Sequence, residues 1–156
     1  MYNMNHLDFL ISKRYYEVKG LGSFYVFRKK DFVSRKIRNG KIWEPHLIYV
    51  FEKYIKKGTN VIDAGAHIGV YTIRFAKLCN PGKVYSFEVH PTTYKILIKN
   101  IELNNLKNTE AYNVGVNDIK TKIKVRWISK KNIGQLYLDN NPIELPELKV
   151  LTENEQ

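Results

Sequence analysis

Two spacings of apolar residues alternate through the middle of this chain. Short apolar runs at Val61–Ala64, Val84–Glu88 and Glu110–Val116 read as buried strands. Between them, Gly69–Leu78 reads as a helix, stopped by Asn80-Pro81-Gly82. A second helix is expected from a Thr92 or Thr93 cap to about Asn104. Its apolar face is Tyr94, Leu97, Ile98 and Ile101. The order β-α-β-α-β over residues 60–116 predicts an α/β protein with a parallel sheet and right-handed crossovers.

The flanks follow other patterns. Tyr15–Val18 and Ser23–Arg28 read as a hairpin turning at Gly20-Leu21-Gly22. Asn39-Gly40 reads as a turn between extended pieces at 31–37 and 41–43. Pro45 then opens a helix whose apolar face is Leu47, Val50, Phe51, Tyr54 and Ile55. Gly58 is its expected C-terminal stop. Downstream, Lys122–Ile128 alternates with period two as a half-exposed strand, and Gln135–Leu138 is its expected partner. The expected regions are a basic N-terminal hairpin and arm (1–41), an α/β core (42–139) and a tail (140–156).

Composition narrows the class only slightly. With 156 residues, 44% of them hydrophobic, the chain has the length and content of one ordinary domain. Its net charge of +11 is concentrated at the front, where residues 1–57 contribute +8. Seven basic side chains and one acid fall between Arg28 and Lys41, a field suited to polyanions or to plain solvation. Cys79 is the single cysteine, so no intrachain disulfide forms. No apolar run approaches the ~20 residues of a membrane span, and a soluble, cytoplasmic protein is expected.

The candidate chemistry lies where the first buried strand becomes a helix. Asp63, Gly65 and Gly69 form an Asp-x-Gly-x-x-x-Gly turn, and Glu88 ends the next strand. Such a turn lets backbone approach a ligand closely, and a carboxylate at the second strand end suits ribose hydroxyls. The turn lacks the glycine spacing of dinucleotide dehydrogenases and the Gly-Lys-Ser/Thr of triphosphate loops, which disfavours NAD and ATP. No metal is called for. His67 lies within the turn, either lining the site or as a loop residue without a role.

VIDAGAHIGVYTIRFAKL, then VYSFE, then the helix with Leu97, Asn100 and Asn104, then AYNVGVND together resemble the FkbM family of S-adenosylmethionine-dependent methyltransferases. Trp43-Glu44 and the helix ending in Lys-Lys-Gly are also similar, so the resemblance spans about residues 42–128. It implies a Rossmann-like methyltransferase fold acting on hydroxyls of sugars or other small molecules. It also implies that Asp63, Gly65, Ala66, His67 and Gly69 hold S-adenosylmethionine. Glu88 would take the ribose, and Asn117 or Asp118 would lie near the adenine. Val89 stands where that family commonly has Pro, and no Asp-x-Glu-Gly fourth-strand motif follows.

The resemblance thus implies an incomplete parallel sheet and a methyltransferase truncated at its C-terminus. The edge of its first strand would be covered by the hairpin, the strand at 122–128, a second copy or a complementing chain. The catalytic residues are not identified; Glu44 and His67 are the local candidates for a base. The expected acceptor is a small molecule, such as a glycan. A non-catalytic, methyltransferase-like interaction module is the alternative, and nucleic-acid binding through residues 28–41 ranks last.

Overall fold

The computed structural model describes residues 10–28 and 31–116, together with the backbone of 124–129 and 132–139. Three short parallel strands form the central sheet: β3 (Val61–Ala64), β4 (Val84–Phe87) and β5 (Thr109–Tyr112), in the order β3-β4-β5. Val61 pairs with Val84, and Val84 with Thr109. Helix α3 (Val70–Cys79) connects β3 to β4, and α4 (Pro91–Leu103) connects β4 to β5. The expected β-α-β-α-β core is therefore present.

One face of the sheet is buried. Val84 and Ser86 are fully covered and Asp63 is 6% exposed, whereas Ile62, pointing the other way, is 68% exposed. Phe75, Ala76 and Cys79 of α3 pack against Val84, and Leu97 and Ile101 of α4 pack with Ala66.

The N-terminal hairpin, β1 (Tyr16–Val18) with β2 (Gly22–Phe24), shares its apolar core with these helices. Val18, Leu21, Phe24 and Phe27 cluster with Ile68, Ile73 and Ile96. Asn100 of α4 and Asn104, the residue that ends that helix, one turn apart, dock it. Asn104 accepts from Ser23 N at 2.9 Å and donates to Ser23 O at 2.7 Å. Asn100 does the same for Tyr25, at 2.7 and 3.0 Å, and also donates to Ile68 O at 2.8 Å. These side-chain amides satisfy backbone groups that another strand would otherwise have to pair.

Several local expectations need correction. Residues 32–38 are helical, not extended: α1 (Phe32–Arg38) starts at Asp31, whose Oδ2 accepts the Ser34 amide at 2.7 Å. Asn39-Gly40 is the end of that helix, with Gly40 at φ +65° donating to Ile37 O. The second hairpin strand stops at Phe24; beyond it the chain bridges Ile11 through Phe27. The cap of α4 is His90, whose ring accepts the Thr92 amide at 3.2 Å. In α2 (Pro45–Tyr54), Phe51 packs edge-on to Tyr71 and Phe75. Val50 and Tyr54 of the same helix remain 45% and 69% exposed.

Downstream, β6 (Lys124–Ser129) and β7 (Asn132–Asp139) form an antiparallel pair, as the alternation predicts. That pair is a sheet of its own. Among the described residues, no strand hydrogen-bonds the outer edge of β3, so β6 does not cover it.

Candidate cofactor site

The strand β3 ends in a turn that its own backbone and the end of β4 hold in place. Gly65 N and Ala66 N both donate to Phe87 O at 2.9 Å, and Gly69 N donates to Ala66 O. Gly65 and Gly69 have φ of +84° and +91°, a region side chains rarely adopt. The two glycines serve different ends. A Cβ on Gly65 would meet nothing within 4 Å, so this glycine faces open space. A Cβ on Gly69 would lie 2.7 Å from Leu97 Cδ1, so that glycine lets the turn pack on α4.

Glu88 is 4% exposed and spans the two strand ends. Its Oε2 accepts the His67 amide and its Oε1 the His90 amide, both at 2.8 Å. Burial pushes its carboxyl above the usual range, the two amides oppose that, and Asp63 adds to it. Each oxygen holds one backbone N–H and retains a second lone pair.

Asp63 turns inward, beneath the turn. Thr72 Oγ1 donates to its Oδ2 at 2.5 Å and lies 3.0 Å from Ser86 Oγ. With the single Thr72 proton on Asp63, Ser86 donates to Thr72. Burial raises the Asp63 carboxyl, and its hydrogen bonds to Thr72 partly offset the rise.

His67 has φ +52° and turns its ring into the protein, 6.0 Å from the ring of Phe27. Among the described residues, neither ring nitrogen, both buried, has a hydrogen-bond partner, nor does Oδ1 of Asp31. Burial lowers the imidazole's proton affinity, and the Asp31 charge partly restores it. His90 is pushed down to about 4, first by burial and then by His67. Glu44, the other base candidate, accepts the Tyr71 hydroxyl at 2.5 Å. Burial and that contact raise the Tyr71 phenol.

The turn thus brings Gly65, Ala66, His67, Gly69 and Glu88 into one hydrogen-bonded unit, with Asp63 beneath it bonded to Thr72. Asn117 and Asp118 lie outside the described residues. Thr72, Ser86 and Asn100 support the turn, and sequence spacing did not assign them that role. Among the described residues, no helix is long and apolar enough to cross a membrane.

Sheet order, crossovers and turn define a Rossmann-like methyltransferase fold. The sequence model of the TRM5/TYW2 methyltransferase domain matches residues 49–138, more than half of the chain, and the chain belongs to that family. It is 35% identical over 75 residues to the tRNA(Phe) (4-demethylwyosine(37)-C(7)) aminocarboxypropyltransferase of Methanocaldococcus jannaschii. That match takes in 45% of this chain and 30% of the relative, so the chain spans about a third of the relative's length. Among solved structures, TYW2 of P. horikoshii in complex with MeSAdo matches with a TM-score of 0.50 and 22% identity, over 69% of this chain and 37% of that one. TYW2 of M. jannaschii in complex with AdoMet matches with a TM-score of 0.47 and 25% identity, over 65% and 42%.

The family match corrects the family expectation: the chain is not an FkbM protein. The resemblance covered about residues 42–128 and leaned on the motifs of a nucleotide-like cofactor site, a segment that carries little information about the acceptor. The TRM5/TYW2 match runs on through most of β7, beyond that segment. The small-molecule acceptor and the last rank given to nucleic acid are overturned with it, because the curated relative is named for tRNA. The expected cofactor, S-adenosylmethionine, agrees with a methyltransferase family.

Proposed function

We propose that this chain forms the S-adenosylmethionine-binding part of a transferase that modifies tRNA. The arrangement that carries the reading is the open Gly65 turn beside the buried Glu88 carboxylate, in a chain of the TRM5/TYW2 family. The space a Gly65 Cβ would occupy has no atom within 4 Å, so the residues present leave room for such a cofactor at the turn backbone.

In this reading Gly65, Ala66 and His67 present the turn backbone, and the remaining lone pairs of Glu88 accept the ribose hydroxyls. Asp63 and Gly69 act from behind, through Thr72 and Leu97, by fixing the shape of the turn. When bound, S-adenosylmethionine supplies a sulfonium-activated carbon for transfer to a nucleophile. The contribution of these residues is positioning, because the buried ring nitrogens of His67 and the Tyr71-bound Glu44 are poorly placed to move a proton. RNA as acceptor draws on the name of the M. jannaschii relative and on the net charge of +11.

The test incubates the protein with radiolabelled S-adenosylmethionine and an unmodified tRNA transcript. Binding of both, with label appearing in the RNA, is expected. Cofactor binding with no affinity for tRNA would remove the acceptor from the proposal.

A further inference from the structure

A cleft of about 340 Å³ opens between the start of the described chain, the segment after β2 and the middle of α4. Its walls are Ile11, Ser12, Lys13, Tyr25, Arg28 and Lys99. Three of these six are cations and none is an acid. Among the described residues, none of the three cations is in an ion pair. Unpaired like charges lining one cleft repel one another, so the cleft favours an anion.

Its construction is specific. Arg28 Nε donates to Ile11 O at 2.7 Å, which fixes the guanidinium on one wall. Lys99 Nζ stands 5.7 Å from the centre of the Tyr25 ring, a cation against an aromatic face. The exposed Tyr15 meets Tyr25 edge-on at 6.3 Å and extends the aromatic surface. The volume falls near the lower end of ligand sites, about 300–1,000 Å³, which suits a single nucleotide rather than a duplex.

The cleft is also tied to the cofactor turn. Asn100, next to Lys99, bonds both backbone groups of Tyr25 and the Ile68 carbonyl within the turn. One buried side chain therefore holds both the cleft wall and the turn.

We propose that the Lys13–Arg28–Lys99 cleft grips one nucleotide of an unpaired RNA strand, its phosphate on the three cations and its base or ribose against Tyr25. This rests on the tRNA reading above and adds to it the place on the chain where RNA is held. No contiguous motif marks the cleft, because its cations come from three separate segments.

The test is fluorescence anisotropy with a labelled tRNA transcript over a KCl series. It compares wild type, Lys13→Gln, Lys99→Gln, the double variant, Tyr25→Leu and Lys57→Gln, a control cation outside the cleft. Each cleft lysine removed should lower the log–log salt slope by about one. Tyr25→Leu should weaken binding at least about fivefold at every salt concentration, leaving the slope unchanged. Lys57→Gln should match wild type. Melting curves confirm folding, and because among the described residues neither lysine side chain hydrogen-bonds a backbone group, the lysine variants stand even if Tyr25→Leu fails to fold. Slopes unchanged in the lysine variants, with wild type binding tRNA, would overturn the cleft and leave the tRNA reading standing. Equal losses for Lys57→Gln would assign binding to a diffuse basic face and also overturn it. Polyglutamate competing as well as RNA would assign the cleft to an acidic protein segment instead. No tRNA binding by wild type would defeat both readings.

Discussion

Glu88 holds His67: a carboxylate oxygen at the end of one strand accepts, at 2.8 Å, a backbone amide in the turn after the neighbouring strand. The other oxygen of the same carboxylate accepts the His90 amide. The group placed to receive a ligand is therefore also the group that sets the shape of the turn. Glu88→Gln keeps the size but sets an NH2 against one of two backbone N–H donors. We expect a loss of about 1–3 kcal/mol in urea denaturation, the usual cost of a buried donor left unpaired.

The two turn glycines separate stability from binding. Either replaced by Ala pays the left-handed backbone cost of roughly 1–2 kcal/mol. Gly69→Ala also drives a methyl into Leu97, so its melting temperature should fall further. Gly65→Ala projects into open space and should lose more cofactor affinity than Gly69→Ala for the same loss of stability. Thermal melts paired with equilibrium dialysis check this ordering.

Asn100→Ala removes three hydrogen bonds that Asn100 makes to Tyr25 and Ile68 from a residue 0% exposed. The cost should be at least about 2 kcal/mol, since several buried backbone groups lose partners. Hydrogen exchange at the Tyr25 amide should rise by more than the global loss of stability explains. Uniform change across the chain would instead mean that the hairpin is not docked through this side chain.

Acid should weaken the fold through His90. Its folded value lies at about 4, against 6.5 for an ordinary imidazole. Between these values the unfolded chain binds the proton and the folded chain does not, so this contribution is complete above 6.5 and lost as pH falls toward about 4. The cause is concrete, because the ring nitrogen that caps α4 must stay unprotonated to accept the Thr92 amide. His90→Asn preserves a capping side chain without the titration. It should flatten the fall in melting temperature between pH 6.5 and 4 relative to wild type. Asp63 and Glu88, raised by burial, act in the opposite sense in both proteins and cancel in the comparison.

The core was legible because its signals are local. Val61–Ala64 was read to the residue, and β4 and α3 within one position, from apolar runs and glycine stops. Helix α1 was missed because Asn39-Gly40 serves equally as a hairpin turn and as a helix stop. Only the Asp31 side chain on Ser34 N decides between them. The sequence places Asp63 in the cofactor turn but assigns its carboxylate no partner within the protein. Its partner proved to be the Thr72 hydroxyl, nine residues on, because period two along β3 points it at α3. The acceptor class was misread for a different reason. The turn and Glu88 answer to the cofactor, and nothing in their chemistry separates a sugar hydroxyl from a tRNA base.

Calorimetric titration with S-adenosylmethionine tests the central claim most directly, using wild type and Glu88→Ala side by side. Wild type should bind saturably, and the variant, if still folded by circular dichroism, should bind at least about tenfold more weakly, as expected when hydrogen bonds to a charged group are lost. Absence of binding by wild type at ligand concentrations on the order of millimolar, equivalent to about −4 kcal/mol, would contradict the account. So would a folded Glu88→Ala protein that binds as wild type does.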